Sequence, residues 1–259
     1  MLIMNYSISV NALKDKVILV TGAGDGIGKQ AALSFAKHGA SVILLGRTLT
    51  KLKKTYNEIK LLGKTRIILF PLDMKEASKQ NYLDIIKITK KKFGRLDGLL
   101  NNASVLGKLG PFLDITENIY DEVMKINVKS QLLLTQAALP LLYKSTDASI
   151  IFTSSSVGCK GRAFWGSYSI SKFATEGMMQ ILADELSNTT IRVNAINPGR
   201  IRTKMRAKAF PLEDPELLKK PKNIMSLYLY LMSNQSKQIN GQCIEAQSNK
   251  HFFNMIQES

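Results

Sequence analysis

Two periods of apolar residues alternate along this chain. Residues 17–20 form a short apolar run that stops at Thr21 and a glycine cluster, which predicts a buried strand entering a tight turn. Residues 27–38 then show helical spacing through Ile27, Ala31, Ala32 and Phe35, and Gly39 is a C-terminal stop. The alternation continues. Strands are predicted at 41–45, 66–72, 98–101, 149–153, 191–196 and 241–246, and helices at 50–62, 78–93, 117–139 and 167–186. The apolar stretch to Tyr143 extends the fourth of these five helices through a kink at Pro140. Right-handed crossovers between strands and helices lay down a mostly parallel, seven-stranded sheet covered on both faces. No repeat, low-complexity tract or linker divides the pattern. The expectation is a single doubly wound α/β domain over residues 1–259, with its core at about 16–246.

Composition narrows the picture. With 45% apolar and 22% charged residues, the chain has ordinary globular content. No apolar run approaches the roughly 20 residues of a membrane span. Residues 1–16 lack the basic start and apolar stretch of a signal peptide. Two cysteines, Cys159 and Cys243, read as too few and too isolated for a disulfide framework or a metal site. A cytoplasmic protein without a metal is expected. The net charge of +16 raises a nucleic-acid or membrane-surface partner. Only eight of the 36 basic residues are Arg, however, and the Lys are scattered apart from short runs at 51–54 and 90–92. Phosphate and base readers lean on the planar, bidentate Arg. Neither nucleic acid nor membrane is expected as a partner.

Several positions carry chemistry. Thr21, Gly22, Gly24, Asp25, Gly26, Ile27 and Gly28 lie at a strand–turn–helix junction, where a diphosphate needs close backbone approach and free amides. The spacing is Gly-x3-Gly-x-Gly, and a glycine cluster alone also suits any tight turn. At the end of the second strand stands Gly46-Arg47, where an NAD site would place an acid. Arg47 offers a bidentate cation to a 2′-phosphate, or is a solvated Arg in a basic protein. Tyr168 and Lys172 are four apart and share a helix face. A free tyrosine has a pKa near 10, and a neighbouring ammonium would draw it down. Such pairs are common on ordinary helices. Position adds weight, because Ser155 at the end of strand five and Asn102 at the end of strand four reach the crevice where open α/β sheets bind ligands. Asn127 lies in the helix that follows strand four.

In this order the motifs resemble the short-chain dehydrogenase/reductase family, with a Rossmann-type fold, from about Lys16 to Ala246. They are the Thr-Gly-x3-Gly-x-Gly turn, Asp73, Asn-Asn-Ala at 101–103, Asn127, Ser155, Tyr-x3-Lys, and Pro198-Gly199-x3-Thr203. More narrowly, residues 152–158 and 172–180 resemble the enterobacterial YciK-type oxidoreductases. The resemblance implies a hydride moving between the nicotinamide of NADP and a small-molecule carbonyl or alcohol. Tyr168 would carry the proton, Lys172 would tune it and hold the ribose, and Ser155 would bind the substrate oxygen. Asn127 would help hold a relay water. Asp73 would contact the adenine, Asn102 and Ala103 the cofactor, and Pro198, Gly199 and Thr203 the nicotinamide side. Among the adjacent serines 154–156, Ser155 fits the family's Ser-x-x-Gly pattern, and strand alternation turns its neighbours to the opposite face.

Two departures stand out. The family's glycine-rich last-strand ending is replaced by Glu245-Ala246-Gln247-Ser248, which weakens the case for a tetramer. Residues 200–221, with Met205, Phe210 and several cations, suggest a mobile lid over an apolar pocket for a substrate carrying negative charge. Leu132, Leu133, Leu134, Met178, Met179 and Leu182 give two helices an apolar surplus, so a homodimer, with a homotetramer as the larger assembly, is expected. A catalytically idle nucleotide-binding sensor or scaffold and a 3-oxoacyl thioester reductase are the alternative functions.

Overall fold

The computed structural model describes residues 8–63 and 65–247. Seven parallel strands lie in the order β3-β2-β1-β4-β5-β6-β7. They are β1 Val17–Thr21, β2 Ser41–Gly46, β3 Ile67–Pro71, β4 Gly98–Asn101, β5 Ala148–Thr153, β6 Ile191–Asn197 and β7 Cys243–Glu245. The chain reverses its winding between β1 and β4, which opens a crevice at their carboxyl ends.

Strand alternation divides the core. Ile18, Val20, Val42 and Leu44 face one layer, which contains α1 Gly26–Lys37 and α8 Met225–Met232. Leu19, Ile43 and Leu45 face the other, with α3 Lys79–Phe93, α5 Ser130–Leu142 and α6 Gly166–Glu185. The remaining helices are α2 Leu49–Lys60, α4 Glu117–Met124 and the short α7 Lys204–Ala209.

The expected strands and helices are present, with three differences. The helix predicted over 117–139 divides into α4 and α5 around a wide π turn at Lys125–Lys129. Asn127 sits inside that turn, fully buried. Pro140 lies within α5 but near its end, where its missing N–H removes one bond and the helix continues only to Leu142. Finally, α7 and α8 had no counterpart in the sequence pattern. The α8 segment is apolar nearly all round because it packs between the sheet and α1, so it shows no helical period.

At the end of the sheet away from the crevice, Asp97 is completely buried and holds three segments together. It accepts from the Val17 amide at 2.9 Å, from the Ser145 hydroxyl at 2.5 Å and from Arg95 Nη2 at 2.6 Å. Removing the acceptor leaves a buried amide and hydroxyl unmatched, at roughly 1–3 kcal/mol per group. Asp97→Ala should therefore lower the unfolding free energy by about 3 kcal/mol, read as an earlier urea midpoint with unchanged slope. An unchanged midpoint would show that water replaces the carboxylate at no cost.

Candidate active site

The crevice is a cleft of about 840 Å³. That volume lies within the range of small-molecule and cofactor sites. Its floor is the turn between β1 and α1. Gly22 takes a φ of +67°, open to glycine, and a Cβ there would stand 2.9 Å from Asn102 Nδ2. Gly28 does not line the cleft. It lets α1 press on the turn, since a Cβ would meet the Gly22 carbonyl at 2.4 Å. Thr21 is likewise a fastening: its hydroxyl donates to the Leu100 carbonyl and accepts the Asn102 and Ala103 amides at 2.8 and 2.9 Å. The β1 and β4 ends are thus locked side by side. Gly24, Asp25, Gly26 and Ile27 line the wall at the N-terminus of α1, where unpaired helical amides favour an anion.

One mouth of the cleft is cationic. Arg47, at the end of β2, is two-thirds exposed and lies 4.0 Å from Asp73. Lys51 and Lys204 both reach Asp25, at 2.9 and 3.3 Å. Burial opposes ionisation of Asp25, but the bonds from Lys51, the Gly26 amide and Lys204 hold its carboxyl below the ordinary range. Sequence reasoning passed over these two lysines. Lys51 belongs to a run that reads as a solvated helix face, and Lys204 arrives from a distant segment. A glycine floor, a helix N-terminus and a collar of three cations fit a dinucleotide with an additional phosphate.

At the other end the chemistry gathers. Ser155 follows β5 and lines the cleft together with Tyr168 of α6. Ser154 turns away to the carboxylate of Glu176. Lys172, one turn beyond Tyr168, is 1% exposed and donates to the Thr153 carbonyl at 2.8 Å. Its Nζ lies 5.5 Å from the Tyr168 ring centre. Pro198, Gly199 and Thr203 border the same space from the β6 side, and Thr203 caps α7 by accepting the Arg206 amide at 3.1 Å. Asn127 stands behind the wall. It accepts from the Val105 amide and donates to the Val105 carbonyl and the Ser171 hydroxyl. Its side chain therefore braces the loop after β4 against α6.

The electrostatics differ from the expectation that Lys172 would acidify the phenol. Burial pushes Tyr168 up to about 12, and the neighbouring Ser155 hydroxyl recovers only part of the shift. Burial also brings Lys172 down to about 8, against partial support from the Glu176 charge. Desolvation dominates because both groups sit inside the protein, which residue spacing cannot show.

The region over this end is apolar and latched. Trp165 lies between Tyr168 and Phe210, with ring centres 5.8 Å from each. Arg206 stacks 3.6 Å over Phe210. Glu213 accepts from Arg206 Nη2 at 2.7 Å and from Arg200 Nε at 3.1 Å, which ties the segment after β6 together.

The cleft, the serine, tyrosine and lysine on its wall, and the cationic mouth coincide with a known class. A family model described as short chain dehydrogenase matches residues 16–214. The chain belongs to the short-chain dehydrogenase family and is an oxidoreductase of that family. It is 48% identical to the oxidoreductase YciK of Escherichia coli K12 over 244 residues, 94% of this chain and 96% of that protein. Among solved structures, a short chain dehydrogenase from Pseudomonas syringae is 50% identical, with a TM-score of 0.92 over 95% of this chain and all of that one. One from Escherichia coli CFT073, solved in complex with NADPH, is 47% identical, with a TM-score of 0.90 over 93% of this chain and all of that one.

Proposed function

We propose that this protein is an NADPH-dependent carbonyl reductase in which Tyr168 delivers the proton. The observation that carries the reading is the convergence of Ser155, Tyr168 and the buried Lys172 on one wall of the cleft. NADPH, when bound, supplies the hydride to the carbonyl carbon. Gly22, Gly24, Asp25, Gly26, Ile27, Asn102 and Ala103 hold its nearer half. Arg47 would hold the 2′-phosphate, Asp73 the adenine, and Pro198, Gly199 and Thr203 the nicotinamide side. Ser155 donates to the substrate oxygen and polarises it. Tyr168 gives its proton to that oxygen as charge develops there. Burial pushes the phenol up to about 12, so it is protonated at neutral pH, the form that a proton donor needs. Lys172 holds positive charge beside the phenol and would hold the cofactor ribose. Thr21, Gly28 and Asn127 maintain the walls.

The test is oxidation of NADPH and of NADH by purified protein with a panel of aldehydes and ketones. Reduction of at least one compound, faster with NADPH, is expected. Equal use of both cofactors would remove the Arg47 assignment, and binding of NADPH without turnover on any carbonyl would favour an idle nucleotide sensor. The apolar end, with Met205, Trp165 and Phe210 beside Arg206 and Lys208, suits an apolar carbonyl compound carrying an acidic group.

The reductive rate should also report Lys172. Its ammonium is present below about pH 8 and lost above it. The kcat for reduction should be level on the acid side and fall as pH passes through about 8. Lys172→Met should abolish that limb. A profile level to pH 10 (close to the ordinary tyrosine value) would separate catalysis from the lysine charge.

We also propose association through α5 and α6. Of the six expected contact residues, Leu134 and Met179 are buried in the core, and Leu133, Met178 and Leu182 pack on its edge. Leu132 remains on the outside, joined there by Ile170, Phe173 and Ile181. Two-fold pairing of these faces would cover all four. Light scattering at micromolar concentration should give at least a dimer mass, and a monomer mass would refute the pairing.

A further inference from the structure

We propose that Cys159, Cys243 and Glu176 form a binding site for a thiophilic divalent cation of the zinc class, set directly behind the active-site wall. The chain has only two cysteines, and they lie far apart in sequence. Spacing reads them as isolated, but the fold brings them to one carboxylate oxygen. Cys159 follows the Ser156–Gly158 turn and Cys243 opens β7; their sulfurs stand 3.1 and 3.3 Å from Glu176 Oε1. The three candidate ligand atoms lie within 4.8 Å of one another.

The carboxylate is the unusual element. Glu176 is 8% exposed, and no lysine or arginine forms a salt bridge with it among the described residues. Its one oxygen instead receives the Ser154 hydroxyl and both thiols. Lys172, one turn earlier, supports this carboxylate only through space and makes no salt bridge with it, so the hydrogen bonds of Glu176 Oε1 come from neutral donors. A tetrahedral ion at about 2.3 Å from sulfur and about 2.1 Å from oxygen needs sulfur–oxygen edges of about 3.6 Å. The observed edges would open by a few tenths of an ångström.

The charge balance also favours this. A dication binds as the two thiols release two protons, so a carboxylate with two thiols and a metal held by two thiolates and a carboxylate both carry one negative charge. The field at Lys172, a turn before Glu176 on α6, is preserved. Thiolate ligands select zinc-type ions over magnesium and calcium. Cys159 is exposed, which gives an ion a route and a water the fourth position. Bound metal would join the segment carrying Ser155, the helix carrying Tyr168, and the last strand.

The experiment titrates the reduced full-length protein with Co²⁺ alone and follows thiolate-to-cobalt charge transfer and the visible bands of tetrahedral cobalt. One equivalent should bind with both signatures, and Zn²⁺ should displace it. The double variant Cys159→Ser/Cys243→Ser should lose the thiolate band and bind Zn²⁺ at least about 100-fold more weakly, with carbonyl turnover unchanged. Cys243→Ala alone should weaken the band, which keeps the test independent of the double variant's folding. Absence of a thiolate band in the reduced wild type would overturn the proposal. So would equal Zn²⁺ affinity in the double variant. Conversion of the two thiols to a disulfide by glutathione disulfide, in protein that shows no cobalt band, would make them a redox pair and overturn it as well.

Discussion

Tyr168→Phe should lower kcat for carbonyl reduction by about 10²–10⁴-fold, the usual contribution of general acid–base catalysis, and leave NADPH affinity unchanged. The substitution removes one oxygen and nothing else. The ring stays in its apolar setting, where Tyr168 is 7% exposed and packs with Leu106 and Val157 against Trp165. The neighbouring Ser155 lines the cleft and can turn to solvent, so the cost in stability should be about 1 kcal/mol or less. The cationic mouth and the glycine floor lie at the other end of the cleft and keep their geometry. An unchanged urea midpoint and an unchanged NADPH titration would place the loss in the chemical step. Near-full turnover in the variant would mean that another group supplies the proton. Ser155→Ala separates the roles further. It leaves the acid in place but withdraws the polarising hydroxyl, so it should slow turnover while the pH limb near 8 persists.

The sheet was legible because most of its strands are short apolar runs stopped by glycine or polar residues, and the central ones are buried on both faces. Residues 17–20 show this most plainly, in a strand buried throughout. The helix α8 was not legible for the opposite reason. Enclosed on several sides, it has no polar face to mark a period. The π turn at Lys125–Lys129 depends on Asn127 bonding to both backbone groups of Val105, a contact across the fold that no local pattern encodes. The candidate site divides in the same way. Tyr168 and Lys172 are one helical turn apart, and Ser155 and Asn102 end strands, so topology alone brings them to one crevice. Lys51, Lys204 and the cysteine pair converge only through tertiary packing. The acidity of Tyr168 depends on the water excluded around it, and a sequence-level argument saw the neighbouring lysine but not the burial.

Arg47→Asp should reverse the cofactor preference. The guanidinium stands at the end of β2, beside the cleft and largely in solvent. Losing a charge-assisted bond to a phosphate costs about 1.5–3 kcal/mol, or roughly a 10- to 150-fold weaker NADPH complex. The exposure of Arg47 places the contact term toward the lower end of that range through screening. The introduced carboxylate adds repulsion toward a 2′-phosphate and a hydrogen-bond acceptor for a 2′-hydroxyl, so NADH should bind no worse and preferably better. Titrations of both cofactors at two salt concentrations would measure the effect. In the wild type, added salt should weaken NADPH more than NADH, and in the variant that difference should shrink. Lys51 and Lys204 provide the competing explanation, because they stand at the same mouth and release Asp25 when either moves. If Arg47→Asp leaves the NADPH preference intact while Lys51→Ala/Lys204→Ala removes it, the phosphate is held by the lysines, and Arg47 is the solvated surface residue that the basic composition alone would suggest.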